Sequence, residues 1–260
     1  MDINKEKYLF ARQHARWEKF AAKVFYKAIK KSSLPAIKSL NPEDVDKTVW
    51  IYAYREVYAT IGVYFAQYEY KRQKSRKDDL LDLYNISWRN SMYSEASNAM
   101  VSFGGDLSDT TINEIRSALS YAISQDYTND EIRRYLFTEY LLNRGSKRAL
   151  VLGRTETTTA SSIGKMQGAQ SYFSEIGEDE GYKMWISRAD AAVRHSHRNE
   201  NETIIPFNDK FITTLGNAGK YPSDISLPPA DRANCRCTFV LLSKRGAERR
   251  FRMGTGKPQE

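Results

Sequence analysis

The chain has 260 residues, of which 41% are hydrophobic, 28% charged and 12% aromatic, and its formal net charge is +8. The aromatic content excludes a disordered chain, and the length allows one large or two modest domains. Two cysteines are too few for a disulfide framework, and we expect neither a signal peptide nor an apolar run long enough to span a membrane.

Two long helices are predicted at the start of the chain. Apolar residues recur at three- and four-residue spacings over residues 5–31, which is typical of a helix with one buried face. Asn41 and Pro42 form a helix start, and the helix they begin is expected to run to about Arg76. Aromatic side chains lie around much of this second helix, so we expect other helices or a partner to cover it on more than one side.

Shorter helices are expected next. A third helix is predicted over residues 78–103, where Gly104 and Gly105 are expected to end it. Thr-x-x-Glu patterns begin at Thr111 and Thr128, and each has the form of a capping box. They predict two helices that end near residues 125 and 142.

A further long helix is predicted over residues 146–175. It carries an Arg-Thr-Glu element, Arg154 to Glu156, followed by a run of threonine and serine. Threonine and serine are mediocre helix formers, so this helix needs close packing to persist. We expect a buried Arg154 or Glu156 to pair with Asp190 and Arg194.

The stretch from Trp185 to Cys237 holds two of the three histidines and both cysteines. Strands are predicted around Trp185 and over residues 234–242. Because side chains alternate along a strand, Cys235 and Cys237 would face the same side, with Cα atoms roughly 6.5–7 Å apart. That distance is at the far edge of disulfide geometry, so a bridge between them is not expected.

His195 and His197 have the same spacing as the two cysteines. If both pairs are extended, His195, His197, Cys235 and Cys237 can converge on one tetrahedral zinc ion. The alternative is that the cysteines are small buried side chains, since C-x-C is not the usual spacing of a zinc finger. The sequence leaves both possibilities open.

Charged residues of the same stretch are predicted to pair with each other. We expect Arg194 and Arg236 to be the partners of Asp190 and Asp231. Such pairs would hold the proline- and glycine-rich loops between them in place.

The basic balance permits contact with nucleic acid, and it is equally compatible with a solvated basic protein. Two basic clusters are the candidates for DNA contact. One is the end of the second helix, for which the alternative is a solvated helix end without a ligand. The other is the C-terminal tail, which we expect to be mobile or to order only on a partner. The candidate residues are Lys71, Arg72, Lys74, Arg76, Lys77, Lys244, Arg245, Arg249 and Arg250.

The order of residues in the C-terminal half resembles the Mu F-like domain of tailed-phage minor head proteins, also called head morphogenesis proteins. The resemblance covers roughly residues 145–242, and the closing Asn-Cys-Arg-Cys is its most specific part. The sequence departs from the family pattern at the doubled histidine and at residues 199–202, where the family has a glycine. The residues that carry the resemblance are Arg154, Thr155, Glu156, Trp185, Asp190, Arg194, His197, Phe207, Phe211, Pro222, Asn234, Cys235, Arg236 and Cys237.

Composition and resemblance together predict a mainly α protein with a small C-terminal α+β module. Residues 1–144 would form a helical region that docks on the portal or capsid. Residues 145–242 would form a loop-rich Mu F-like domain with a short antiparallel sheet, and residues 243–260 a basic flexible tail.

The resemblance also implies a function. It predicts a structural minor head protein of a tailed phage. The sequence offers no supported nucleophile–base pair, phosphate loop or strong metal signature, so we expect no enzyme, no catalytic residues and no cofactor apart from the zinc alternative. The expected partners are the portal protein, the major capsid protein or both, together with double-stranded DNA and without a membrane. The expected locations are the virion head near the portal and the host cytoplasm during assembly.

Two other functions are compatible with the residues. One is a metal-dependent nuclease or toxin-like enzyme that uses His195, His197 and Asn199 with the cysteine pair, a histidine acting as base. The other is a plain DNA-binding module, whose binding would weaken with salt and with loss of the charges at residues 71–77.

Overall fold

A computed structural model describes residues 3–73, 81–177, 181–188 and 190–259 of the chain, and it is mainly helical with a small C-terminal sheet, which confirms the predicted class. The helices are α1 (Ile3–Ser39), α2 (Val49–Gln73), α3 (Leu81–Ser124), α4 (Asn129–Tyr135), α5 (Gly145–Ile176), α6 (His195–Asn199), α7 (Pro229–Arg232) and α8 (Lys244–Arg252). A 3-10 turn, Pro42–Asp44, precedes α2, and a π-helical stretch, Leu136–Arg144, joins α4 to α5. The strands are β1 (Gly181–Ile186), β2 (Thr203–Pro206), β3 (Phe211–Ile212), β4 (Ala218–Gly219), β5 (Thr238–Ser243) and β6 (Lys257–Pro258).

Helix α2 is the centre of a helical body formed by α1, α2, α3 and α5. All three of the other helices pack against it, and Tyr54, Tyr58 and Phe65 of α2 are fully buried. The prediction that this aromatic helix is covered on more than one side is therefore confirmed.

Helices α2 and α5 approach each other closely because small residues face each other at their contact. A Cβ atom added to Gly164 would lie 2.1 Å from the carbonyl oxygen of Gly62, and one added to Gly168 would lie 2.2 Å from that of Ala66. Real side chains do not approach a backbone oxygen so closely, so the contact requires glycine at both positions of α5.

The main sheet has the strand order β5-β1-β2-β6, with antiparallel pairs except for the parallel β2–β6 pair. Met184 and Ile186 of β1 pack on one face of the sheet with Ala247 of α8. Trp185 points to the opposite face, where it packs with both cysteines. The sheet thus separates α8 from the loops that precede β5.

Helix α3 differs from its prediction in two ways. It continues through Gly104 and Gly105, and Thr111 lies inside it, where the Thr111 hydroxyl donates to the Leu107 carbonyl (2.8 Å). Glycine costs a helix interior only about 1 kcal/mol, and burial of Leu107 and Ile115 on the same helix outweighs that cost. The predicted helix start at residues 78–79 lies outside the described residues.

The second predicted capping box is confirmed. The Thr128 hydroxyl accepts a hydrogen bond from the Glu131 amide, and the Glu131 carboxylate accepts one from the Thr128 amide. Thr128 differs from Thr111 because a turn precedes it, so the amides that follow lack helical partners and need a cap.

The C-terminal segment is predicted to be mobile or to order only on a partner, whereas residues 243–259 contain the regular elements α8 and β6. Ser243 caps α8 by accepting from the Gly246 amide (3.2 Å), and β6 pairs with β2. A single small apolar residue, Ala247, is buried between α8 and the sheet. One alanine among many charges gives no signal of a packed helix in the sequence.

Helix α5 contacts both the helical body and the C-terminal sheet. It packs against α1 and α2, and the Lys165 ammonium donates to the Thr238 hydroxyl (2.9 Å) and the Phe239 carbonyl (3.0 Å) of β5. The predicted division of the chain at residues 144/145 remains a prediction, and it falls at the start of this helix.

Within the described ranges, no helix combines the length and the apolar character that crossing a bilayer requires.

Candidate functional site

The threonines of α5 hold the segment that carries the cysteines. The Asn234 amide donates to the Thr155 hydroxyl (2.8 Å), and the Thr158 hydroxyl donates to the Cys235 carbonyl (2.5 Å). Asn234 itself has a φ of +61°, a left-handed conformation that asparagine tolerates better than most residues. The poor helix formers of α5 are therefore used to anchor the residues 234–237.

A buried ion pair joins α5 to α7. Both carboxylate oxygens of Glu156 lie 3.0 Å from Nη2 of Arg232, and the Tyr58 hydroxyl donates to Glu156 Oε2 (2.7 Å). Glu156 and Arg232 are both fully buried. Burial raises the pKa of Glu156, and this effect exceeds the opposing influence of Arg232 and Tyr58.

The partners predicted for the Arg-Thr-Glu element are wrong. Glu156 pairs with Arg232 rather than Arg194, and Arg154 Nε lies 3.7 Å from a carboxylate oxygen of Glu18. Arg232 is fully buried, yet no sequence pattern singles it out as a partner of Glu156. Glu156 and Arg232 are 76 positions apart, and no local sequence pattern indicates that they are in contact.

The other predicted charge pairs are confirmed only in part. Arg236 Nη2 lies 3.0 Å from Asp190 Oδ2, as predicted. Arg194, however, donates to the backbone carbonyl of Ala233 and not to Asp231.

Asp231 is bound by neutral groups. Its carboxylate accepts hydrogen bonds from Asn217 (2.8 Å), Thr213 (3.0 Å) and Ser196 (3.3 Å). Burial alone would raise the pKa of Asp231, but these bonds and nearby His197 outweigh it and hold the pKa below its usual value. Asp231 is therefore an ionised carboxylate. It lies in the segment of residues 187–237, which we call the loop region.

His197 and the two cysteines form a compact buried cluster. His197 Nδ1 lies 3.5 Å from Cys235 Sγ and 3.7 Å from Cys237 Sγ. All three residues are at most 2% exposed, and both cysteines are free. The thiols lie just before β5 rather than within it, yet both face the same imidazole.

His195 lies apart from this cluster, so the predicted four-residue convergence is wrong. Residues 195–199 form α6 rather than an extended segment, and residues two apart in a helix point to different sides. His195 is exposed, and its nearest polar contact is the Asn199 amide at 3.5 Å. The paired histidines that the nuclease hypothesis requires are therefore not assembled.

The two thiols of the cluster have opposite electrostatic character. The pKa of Cys235 is held well below its usual value by a hydrogen bond from Cys237 and by His197. The same hydrogen bond, together with burial, raises the pKa of Cys237. The rings of Trp185 and His197 pack in a T-shaped arrangement with centroids 5.3 Å apart.

The candidates for DNA contact are placed in two areas. At the end of α2, Lys71 is exposed and Arg72 binds the carboxylate of Glu69 (2.7 Å), while Lys74, Arg76 and Lys77 lie outside the described residues. On α8, Lys244, Arg245 and Arg249 are exposed and Arg250 is half-buried.

Residues 113–240 match the family described as Phage Mu protein F like protein. These residues belong to the Mu F-like family. The predicted resemblance is confirmed, and the Mu F-like region includes α5, β1, the cluster and the first half of β5. It begins before residue 145, so it also contains the end of α3 and all of α4.

The chain is also similar to the minor head protein GP7 of Bacillus phage SPP1, with 24% identity over 147 residues. The similar segment covers 56% of this chain and 46% of that protein, so the chain spans less than half of the relative it matches. No solved structure matches the chain.

Proposed function

We propose that this protein is a structural minor head protein of a tailed phage that associates with the portal or the head interior during procapsid assembly and contacts packaged DNA. The observation that carries this proposal is the Mu F-like match over residues 113–240, supported by similarity to a protein named as a minor head protein. A structural role also fits the loop region, where Glu156–Arg232 and Arg236–Asp190 join chain segments to each other.

An exposed apolar stripe on α3 supports docking to a shell or portal protein. Leu83, Ile86, Tyr93 and Val101 recur at spacings that place them on one face of the helix, and Val101 is 78% exposed. Exposed apolar side chains on one face of a helix are a common feature of protein interfaces.

Co-expression with the portal or major capsid protein tests the docking. We expect the full chain to co-purify with one of them, and Leu83→Ser/Ile86→Ser to lose this association while remaining folded by circular dichroism. Ile212→Ser/Leu215→Ser is the matched control, because these residues are also exposed but lie in the loop region. Absence of the wild-type chain from both complexes and from purified particles would refute the proposal.

Helix α8 is the part of the described chain that best supports DNA contact. It presents Lys244, Arg245, Arg249 and Arg252 to solvent from a fixed position against the sheet. Ordered basic side chains that meet phosphates release counterions, which makes binding strongly dependent on salt.

Binding of double-stranded DNA over a range of salt concentrations tests this contact. We expect Arg245→Glu/Arg249→Glu to weaken binding and to reduce its salt dependence. Arg144→Glu/Lys147→Glu carries the same charge change on exposed residues far from α8 in the chain, and we expect it to bind like the wild type. An equal loss in both double variants would show that only net charge matters.

A further inference from the structure

The buried cluster of one histidine and two cysteines has the composition of a metal site. The Nδ1 atom and the two Sγ atoms all lie within 4.8 Å of one another, and they come from α6 and from the segment before β5. We propose that His197, Cys235 and Cys237 bind one Zn²⁺ ion. This inference does not depend on the proposed head role.

The distances in the cluster fit a shared ion. Zinc binds sulfur at about 2.3 Å and imidazole nitrogen at about 2.0–2.1 Å, so tetrahedral ligands would place S and N about 3.5–3.6 Å apart. The observed Nδ1 to Sγ distances are 3.5 Å and 3.7 Å. Both nitrogen–sulfur distances therefore match those of ligands that share one ion.

The far side of the imidazole provides independent support. His197 Nε2 lies 3.6 Å from Asp231 Oδ1, too far for a hydrogen bond, and it is buried without a hydrogen-bond partner among the described residues. Histidines that bind metals commonly direct their second nitrogen at a carboxylate, which fixes the tautomer and the ring orientation. A hydrogen bond from Nε2–H to Asp231 would leave the Nδ1 lone pair available to the ion.

Charge and burial also favour zinc over other ions. Two thiolates and a neutral imidazole would balance the charge of Zn²⁺, and a neutral complex is far less costly to bury than a free thiolate. Sulfur and imidazole ligands suit zinc, whereas magnesium and calcium prefer oxygen. The three protein ligands would leave one tetrahedral position for a water molecule.

Metal analysis of the full chain, purified under reducing conditions without chelators, tests the proposal. We expect one zinc per chain, and replacement by Co²⁺ should give the absorption bands of cobalt–thiolate bonds. His197→Gln and Cys235→Ser should lose the ion. His195→Gln is the matched control, because His195 is two residues away but exposed, and it should retain the ion.

Measurements on the wild type keep the test decisive if these variants fail to fold. Titration of the thiols with a mercurial should release one zinc per chain, detected by a chelating dye. Removal of the ion should lower Tm, and added Zn²⁺ but not Mg²⁺ should restore it. A folded, reduced wild-type chain that takes up neither Zn²⁺ nor Co²⁺, or binds Co²⁺ without thiolate bands, would overturn the proposal.

Discussion

Contacts around α2 are mainly apolar and close, whereas the segments between β1 and β5 are held mainly by buried polar groups. In the helical body, Gly164 lies directly against the backbone of α2 at Gly62. In the loop region, the strands β3 and β4 have two residues each, and Asp231 alone accepts bonds from three side chains. A region with little regular structure must pair its buried polar atoms through side chains.

This difference predicts different sensitivities to mutation. The helical body should be damaged by added volume, because its helices have no space to separate. The loop region should be damaged by removal of a polar partner, because the group left behind stays buried. The following variants test this comparison, in order of decreasing effect.

Glu156→Gln should have the largest effect. The change leaves Arg232 buried without its carboxylate, which costs about 3–5 kcal/mol in the free energy of unfolding. Urea unfolding followed by circular dichroism measures the loss. Glu43→Gln is the control, since it removes the carboxylate of an exposed pair with Arg116 and should cost at most about 1 kcal/mol. Equal losses would mean that the loop region does not depend on its buried pair.

Gly164→Ala should destabilise the helical body by about 2 kcal/mol. The added Cβ would meet the carbonyl oxygen of Gly62 at 2.1 Å, so α2 and α5 must move apart. Alanine favours an isolated helix by about 1 kcal/mol relative to glycine, which makes a loss of stability diagnostic of packing. Gln170→Ala, at an exposed position of α5, should leave the same unfolding midpoint nearly unchanged. A gain of stability from Gly164→Ala would contradict the close contact.

Lys183→Met should increase stability by about 1–2 kcal/mol at pH 7, because it replaces a buried charge by an apolar side chain. Lys183 Nζ is buried without a hydrogen-bond partner in the described part of the chain, and it lies 5.5 Å from the ring centroid of Phe211. The variant therefore tests the lysine of β1, whose buried ammonium lacks, among the described residues, the hydrogen-bond partners that buried groups such as Asp231 have.

The pH dependence of this gain has a definite sign. Burial lowers the pKa of Lys183 to about 8 in the folded state, against about 10.4 in the unfolded chain. The unfolded chain binds more protons between these values, so wild-type stability rises with pH across this range. The advantage of the methionine variant should be full below pH 8 and vanish above about 10.4, whereas Lys220→Met, at an exposed position, should show neither effect.

Thr158→Val should have the smallest effect, a loss of about 1 kcal/mol, because the buried Cys235 carbonyl loses its donor. Thr157→Val is a close control on the same helix. Thr157 is equally buried, but its hydroxyl has no hydrogen-bond partner among the described residues. Thermal unfolding should show that Thr157→Val is neutral or stabilising, and a reversed order would mean that α5 does not anchor the cysteine segment.

The helical body could be predicted from the sequence because helix periodicity is a local signal. Sequence patterns predict that other elements cover the aromatic α2 on more than one side, and they predict the capping box of Thr128 and Glu131. The predicted end at Gly104 was wrong because tertiary packing outweighed a local preference of about 1 kcal/mol.

The candidate site could be predicted only in part. The Cys-x-Cys pair and one histidine were identified, but five residues of α6 are too short for periodicity to distinguish a helix from a strand. The choice between His195 and His197 therefore depended on the fold. The Glu156–Arg232 pair was missed because its two residues are 76 positions apart, and local sequence patterns do not report such contacts.

Helix α5 belongs to both regions. One side of it completes the core around α2, and the other side contacts the cysteine segment and β5. Recombination between related genes that joined two parents at residue 145 would give this helix one inherited neighbour and one foreign one. The glycines facing Gly62 and Ala66 would then have to match one parent, and the threonines facing Asn234 and Cys235 the other. Viable exchanges should therefore transfer α5 together with both of its neighbours.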